Sequence, residues 1–311
     1  MKLQRKDVLG LEEMSVEEIR QILHTAKVMK GILMRPIKKL PTLKGKSVVN
    51  LFYEASTRTR TSFEMAAKVL GADTTSIAVA QSSVSKGESL YDTAKTIQAM
   101  RADLVILRHS SSGSASFLAD ILDAGVINAG DGQHEHPTQA LLDIFTMEEK
   151  LGDLNGKKVV IVGDVLHSRV ARSNAWGLQK LGVDVTLVGP PTLVPAEMEG
   201  LGVRLTHDLD KALPGADVVM ALRLQLERQK SGLFPSLREY SRLYGLSTER
   251  LRKTGKESIV LHPGPMNRGV EISDDVADGA QALIERQVTN GVAIRMALIY
   301  LLIGGSGSVV A

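Results

Sequence analysis

Apolar residues recur along this chain in short blocks, and the blocks alternate with stretches whose apolar positions fall at helical spacing. Residues 47–53, 74–79, 103–108, 126–128, 157–163, 184–188, 217–222 and 258–262 are rich in β-branched residues and nearly continuous in hydrophobicity. That is the pattern of parallel strands covered on both faces. Between them, residues 15–30, 89–100, 137–150 and 168–181 predict helices. The alternation reads as α/β: two domains, each a parallel β-sheet flanked by helices on both faces. A polar, glycine-bearing break at residues 151–156 separates a helix from a fresh strand, although the hinge itself could precede that helix, near Pro137. The apolar helix expected at residues 290–303 is long enough to return to the first domain. The expected division is therefore 1–137 plus 289–311 against 138–288. A chain of 311 residues can bury a core in each.

Composition narrows the partners. The net charge is only +3 and no long basic run occurs, so nucleic acid is not an expected partner. The absence of cysteine excludes disulfides, thiolate catalysis and Cys-ligated metal, and fits a reducing cytoplasm. The start, Met1-Lys2-Leu3-Gln4-Arg5-Lys6, runs into mixed polar sequence, and the longest apolar stretch, near residues 299–303, is too short to span a bilayer. Neither a signal peptide nor a membrane association is expected.

The most informative stretch is Tyr53-Glu54-Ala55-Ser56-Thr57-Arg58-Thr59-Arg60. A strand ends at Tyr53, and Phe63, Ala66, Ala67 and Leu70 then mark the buried face of a helix, which Gly71 closes. Ser56 is a good N-cap candidate. Residues 56–59 thus add hydroxyls and a guanidinium to a helix N-terminus, where backbone N–H groups and the helix dipole favour an anion. An ordinary capped helix with surface arginines is the alternative. Arg108, at the carboxyl end of a strand, stands where open α/β sheets bind ligands, unless it is simply a solvated strand end.

Four further stretches carry candidate chemistry. His134-Glu135-His136-Pro137 opens a helix; a helical His-Glu-x-x-His pattern is missing, so no metal is expected. Gly163-Asp164-Val165-Leu166-His167-Ser168-Arg169 follows a dinucleotide-like strand but lacks Gly-x-Gly-x-x-Gly, so no nicotinamide cofactor is expected. Arg169 opens a helix, where the dipole disfavours a cation and an anionic ligand would offset it. Arg223-Leu224-Gln225-Leu226-Glu227-Arg228 and Leu261-His262-Pro263-Gly264-Pro265 read alone as a charged loop and a stiff, extended segment.

Ser56-Thr57-Arg58-Thr59-Arg60, in its strand–turn–helix setting, resembles the carbamoyl-phosphate signature of the aspartate and ornithine carbamoyltransferases; His136-Pro137-Thr138-Gln139 resembles the family's second signature. The matches run to about Arg268. The resemblance implies that Ser56, Thr57, Arg58, Thr59, Ser82, Lys86 and Arg108 hold the phosphate of carbamoyl phosphate. It implies that Arg108, Thr59 and His136 face the carbonyl oxygen, that Gln139 binds the amide, and that the carbonyls of Pro263 and Gly264 accept from the carbamoyl amide and the aspartate amine. Lys86, Arg169, Arg223 and Gln225 would hold the carboxylates of L-aspartate, and no cofactor or metal is implied. Ser82 and Lys86 belong to a loop, Ser82-Ser83-Val84-Ser85-Lys86-Gly87, which by resemblance reaches a neighbouring subunit's site in a homotrimer. Arg268 replaces an arginine that some relatives carry directly after the second proline.

The implied reaction is carbamoyl transfer to the aspartate α-amine, in pyrimidine biosynthesis, by direct attack without a covalent intermediate. Ornithine enzymes carry His-Cys-Leu-Pro and Ser-Met-Gly elements that this chain lacks. Transfer to ornithine or another amine is the alternative within the family, and a non-catalytic phosphometabolite-binding protein the alternative outside it. Regulatory chains or a dihydroorotase remain open as partners.

Overall fold

The computed structural model describes residues 3–78, 88–225, 233 and 235–304. The chain divides into two compact units, Met1–Leu141 with Thr289–Ala311, and Leu142–Val288.

In the first unit the order is α1 (Val16–Leu33), β1 (Ser47–Phe52), α2 (Thr57–Leu70), β2 (Asp73–Ala78), α3 (Leu90–Ala99), β3 (Leu104–His109), α4 (Ser114–Ile121), β4 (Gly125–Asp131) and the start of α5 (Pro137–Leu151). The four strands form a parallel sheet in the order β2-β1-β3-β4. α1 opens with a capping box in which Ser15 and Glu18 satisfy each other's backbone N–H groups. α2 buries Phe63, Ala66, Ala67 and Leu70, the spacing read from sequence. Burying Phe63 completely is worth roughly 1.5–3 kcal/mol. The helix ends at Gly71 with φ 81°, and an added Cβ would come 2.9 Å from the Pro41 Cα, so glycine alone fits this stop. Ala94 and Ile97 of α3 pack with Ala115 and Leu118 of α4 over Leu51, Val105, Leu107 and Val126 of the sheet. Right-handed crossovers send α2 one way from β1 and bring α3 back across it, so the two helices cover opposite faces.

The second unit continues with β5 (Lys158–Val162), α6 (Arg169–Lys180), β6 (Asp184–Val188), a 3-10 helix (Ala196–Leu201), β7 (Arg204–Thr206), α7 (Leu209–Ala212), β8 (Val218–Ala221), α8 (Leu237–Tyr244), α9 (Thr248–Arg252), β9 (Ile259–Leu261), α10 (Asp274–Ala277) and the start of α11 (Ile284–Ile303). Its five parallel strands follow the order β7-β6-β5-β8-β9. Val160, Val162, Val219, Ala221 and Val260 of the sheet pack with Leu209, Tyr240, Leu251 and Val276.

The α/β reading holds in both units. Most strands differ from the sequence expectation by a residue at one or both ends, as hydrogen bonding rather than hydrophobicity sets the limits, and Val79, expected to end the second strand, lies outside the described residues. β7 was not anticipated, since three residues, Arg204-Leu205-Thr206, at a sheet edge carry no periodic signal. β4 reaches further than residues 126–128, and α11 begins at Ile284 rather than 290, ahead of its apolar run. Among the described residues no helix is long and apolar enough to cross a membrane.

Candidate active site

In each sheet the strand order reverses once, between β1 and β3 in the first and between β5 and β8 in the second. Chain connections leave such a switch point in opposite directions, which opens a crevice at the carboxyl ends of the two strands. Of the described candidate residues, Ser56–Thr59 follow β1 and Arg108 lies near the end of β3, while Arg169 follows β5 and Arg223 and Gln225 follow β8.

In the first unit, the Tyr53 N–H donates to the Arg108 carbonyl at 2.8 Å, so the exits of β1 and β3 are joined. From β1 the chain runs through Glu54 and Ala55 into α2. Thr59 is buried, Ser56 half-buried, and Thr57 and Arg58 are exposed at the helix start. Ser56 occupies the N-cap position, but its side chain makes no capping bond. This corrects the expectation of a Ser56 cap. Ser56 has φ −158° and ψ 85°, outside the extended region from which Ser15, Ser89 and Ser168 cap their helices, although extended angles are not sufficient, since Ser273 at φ −76° and ψ 158° makes no capping bond. α1 and α3 also carry acids in their first turns, and α2 carries none. The amino end of α2 is thus left positive, with hydroxyls beside it.

Arg108 projects from the end of β3 with its side chain 14% exposed. Its Nη1 donates to the Ala129 carbonyl at 3.1 Å, and its Nε lies 3.3 Å from Glu54 Oε2. His136 and Gln139 are buried at the start of α5, and the Gln139 N–H donates to the His136 carbonyl at 3.0 Å. The turn before them is fixed by Asp131. Its carboxylate accepts from Asn128 Nδ2 at 2.7 Å, from the Gly113 N–H at 2.7 Å and from the Glu135 N–H at 3.2 Å, and it lies 3.2 Å from His134 Nδ1. Burial alone would raise the Asp131 pKa, but hydrogen bonds from His134, Asn128 and Gly113 hold it below the usual carboxylate range. The hydrogen bond to Asp131 raises His134 in turn, against the effect of burial. Glu12, His134 and Glu135 bring donor atoms within 4.8 Å of one another. The Glu135 carboxylate, however, accepts the Leu11 and Glu12 N–H groups at 2.8 and 3.1 Å, which is a structural use of that group.

A pH dependence follows from the His134–Asp131 pair. A raised histidine pKa stabilises the fold fully below its ordinary value near 6.5, and that contribution is lost as pH rises through the folded value. Asp131 contributes above its ordinary value near 3.8 and loses that contribution in more acid solution. The melting temperature of His134→Gln should therefore fall further below that of the parent at pH 5.5 than at pH 8.5. An equal gap at both pH values would remove the pair from the stability account.

In the second unit, Gly163 follows β5 with φ 141°, and an added Cβ would come 2.9 Å from the Leu222 Cβ. The exits of β5 and β8 therefore approach as closely as backbone allows. Arg169 opens α6 as expected and is only 4% exposed. Ser168 caps the helix by accepting the Ala171 N–H at 3.1 Å. The Asp164 Oδ1 accepts the His167 N–H at 3.2 Å and lies 2.8 Å from His167 Nδ1, which shapes the turn. Gln225 Nε2 donates to the His167 carbonyl at 3.0 Å, so the Arg223–Gln225 segment is tied to the turn that carries Arg169.

The segment containing Pro263 and Gly264 is held at its base. The His262 N–H donates to Gln287 Oε1 at 3.0 Å, and Gln287 Nε2 donates to the buried Asp143 at 2.7 Å, which also accepts Asn174 Nδ2 at 2.9 Å. The segment is not extended as expected: Gly264 has φ 64° and donates its N–H to His262 Nδ1 at 2.8 Å, so the chain turns there. Arg268 is engaged elsewhere, with Nη1 2.9 Å from Asp274 and Nη2 2.7 Å from Asp278 on and beside α10. It ties a surface loop to that short helix. Ser82 and Lys86 lie outside the described residues, as does the remainder of the Arg223 element from Leu226 to Arg228.

Sequence reasoning missed Glu54, Asp131, Asp143, Glu271 and Gln287. The interruption of an apolar helical run by Asp143 in Leu141-Leu142-Asp143-Ile144-Phe145 was a usable signal; the others carry none that is local.

Comparison with known proteins gives a family to this arrangement. Residues 6–149 match the family model described as the aspartate/ornithine carbamoyltransferase carbamoyl-P binding domain, and residues 155–302 match the Asp/Orn binding domain. An aspartate carbamoyltransferase catalytic subunit of Desulfitobacterium hafniense is 66% identical over 301 residues, covering 97% of this chain and 96% of that protein. Aspartate transcarbamoylase from Trypanosoma cruzi, in complex with carbamoyl phosphate and aspartate, superimposes with a TM-score of 0.86 at 29% identity, covering 96% of this chain and 97% of that one. Ornithine carbamoyltransferase from Pyrococcus furiosus gives 0.87 at 30% identity, covering 99% of this chain and all of that one. With both of its units matched by the corresponding family models, the chain belongs to the aspartate/ornithine carbamoyltransferase family.

Proposed function

We propose that the chain transfers the carbamoyl group of carbamoyl phosphate to the α-amine of L-aspartate, giving N-carbamoyl-L-aspartate and phosphate. The observation that carries this reading is the chemistry at the two switch points. The first combines a positive helix end and hydroxyls with Arg108 near the end of β3, and His136 stands at the start of α5 in the same unit; the second combines Arg169, Arg223 and Gln225. An acyl phosphate suits the first and a dicarboxylate suits the second. The fold does not choose between aspartate and ornithine, since both enzymes superimpose on it. Charge does: guanidinium groups bind carboxylates, in bidentate fashion where geometry allows, and would repel the ornithine side-chain ammonium.

In this reading the phosphate rests on the start of α2 with Ser56, Thr57, Arg58 and Thr59, assisted by Ser82 and Lys86. Arg108, Thr59 and His136 donate to the carbonyl oxygen as it becomes an oxyanion. Gln139 and the carbonyls of Pro263 and Gly264 orient the carbamoyl amide, while Arg169, Arg223, Gln225 and Lys86 hold aspartate. The amine attacks the carbonyl carbon; a C–N bond forms, the C–O bond to phosphate breaks, and the departing phosphate accepts the amine proton. No side-chain nucleophile or base is needed. An assay with both substrates should release one phosphate per N-carbamoyl-aspartate formed. Tight carbamoyl-phosphate binding without aspartate-dependent phosphate release would favour a binding protein instead.

The reading extends to a homotrimer in which Lys86 serves a neighbouring subunit. Arg58→Ala and Lys86→Ala proteins, each nearly inactive alone, should regain activity when dissociated together and reassembled, because some mixed sites then contain both native residues. Mixed assemblies with no recovered activity would refute sharing.

A further inference from the structure

Glu271 is 1% exposed, in the loop that precedes α10. Its carboxyl group receives hydrogen bonds from two segments far apart in sequence. Oε1 accepts the Leu224 N–H at 2.8 Å and Asn267 Nδ2 at 2.6 Å; Oε2 accepts the Asn267 N–H at 2.7 Å. His262 Nε2 lies 3.9 Å from Oε2. The Leu224 N–H sits between Arg223 and Gln225, just after β8 has ended and the sheet no longer offers it a carbonyl. Asn267 lies three residues beyond the turn at Gly264. One buried carboxyl therefore terminates both segments.

Burial pushes the Glu271 pKa up, so the ionised group is costly at this position, although the backbone and Asn267 hydrogen bonds offset part of that cost. A neutral amide would satisfy one N–H donor at lower cost but could not accept from all three donors. The main chain of Glu271 is held independently. Its carbonyl accepts the Leu246 N–H at 2.9 Å, and the neighbouring Ser273 N–H donates to the Leu246 carbonyl at 3.0 Å. The side chain can therefore be altered while its loop stays anchored.

We propose that Glu271 is a positioning residue for the amino-acid acceptor: by gripping the Leu224 backbone and Asn267 together, it sets Arg223 and Gln225 in register with the Pro263–Gly264 turn. This rests on the assignment of Arg223 and Gln225 to the acceptor carboxylates. Glu271 itself touches no substrate. Its effect is to hold the backbone on either side of Leu224, so that both flanking side chains reach the acceptor without first being ordered by it.

Steady-state kinetics of Glu271→Gln, Glu271→Ala and Asn267→Ala, with aspartate varied at saturating carbamoyl phosphate, tests the proposal. Glutamine keeps an acceptor for Leu224 and loses one for Asn267, so it should raise the aspartate KM by about fivefold, and alanine by about fiftyfold, on the usual scale of one and of several lost hydrogen bonds. Asn267→Ala should resemble the glutamine variant. Carbamoyl-phosphate affinity should change by no more than about twofold, because its phosphate is held by α2 and the base of the Pro263–Gly264 turn stays held by the bond from the His262 N–H to Gln287, and kcat should change less than KM. A graded rise in aspartate KM alone supports positioning. An aspartate KM within twofold of the parent in Glu271→Gln and Asn267→Ala overturns it, and so does a parallel loss for both substrates that follows the melting temperature. Turnover of aspartate by the parent protein is the separate test of the functional assignment; the ratio of variant to parent tests Glu271.

Discussion

Arg108→Ala should lower kcat by about 10²–10³, the loss expected when one preorganised donor to an oxyanion is removed, or roughly 2.7–4 kcal/mol. Arg108 ends β3 at the switch point, where its guanidinium is mostly withdrawn from water and is held on two sides by the Ala129 carbonyl and Glu54. A donor fixed before the reaction begins loses little freedom as charge develops on the carbonyl oxygen, and in a site poor in water its field is less screened. Lysine should not rescue, since one ammonium cannot replace a planar fork that donates in two directions. The measurement is kcat and carbamoyl-phosphate KM for the parent, Arg108→Ala and Arg108→Lys. A variant with unchanged kcat and only a raised KM would show that Arg108 binds ground and transition states equally, against the role given to it.

Arg223→Ala should have the opposite kinetic signature. Its proposed partner, a substrate carboxylate, is the same charge before and during amine attack, so its contribution is uniform binding. Hydrogen bonds to charged groups contribute about 1.5–3 kcal/mol, which predicts a rise in aspartate KM of about ten- to a hundredfold with a smaller change in kcat. Arg169→Ala should behave alike, because Gln225 links the two segments through the His167 carbonyl. The effect should weaken in high salt if the arginines act through charge. Unchanged aspartate KM in both variants would separate these residues from the acceptor.

How much of this was legible in the sequence depended on whether the signal was local. The start of α2 was legible because strand end, hydroxyls, arginine and helical face are contiguous from Tyr53 to Leu70. Arg169 was legible as a misfit, a cation at the positive end of a helix. The failure at Ser56 was of another kind: residue type proposes a cap, but it does not specify the backbone and side-chain geometry that brings the hydroxyl to the N–H. The turn at Gly264 was obscured by its flanking prolines, which favour extended neighbours but do not fix the glycine between them.

The groups that hold the site could not be read. Gln287 meets Asp143 across 144 residues, and Glu271 meets Leu224 across 47. Such pairs exist only once β5, β8 and β9 are side by side, and a single polar residue in a loop or on a helix carries no mark of its distant partner. The role of Arg268 could not be read for the same reason: folding places Asp274 and Asp278 against it.

The most direct measurement is kcat/KM for aspartate and for ornithine, taken in parallel at saturating carbamoyl phosphate. Arginines at the second switch point predict transfer to aspartate with a ratio of at least about 10³ over ornithine, the scale set by two charge-assisted contacts kept in one case and lost in the other. Equal turnover of the two acceptors, or turnover of ornithine alone, would contradict the account.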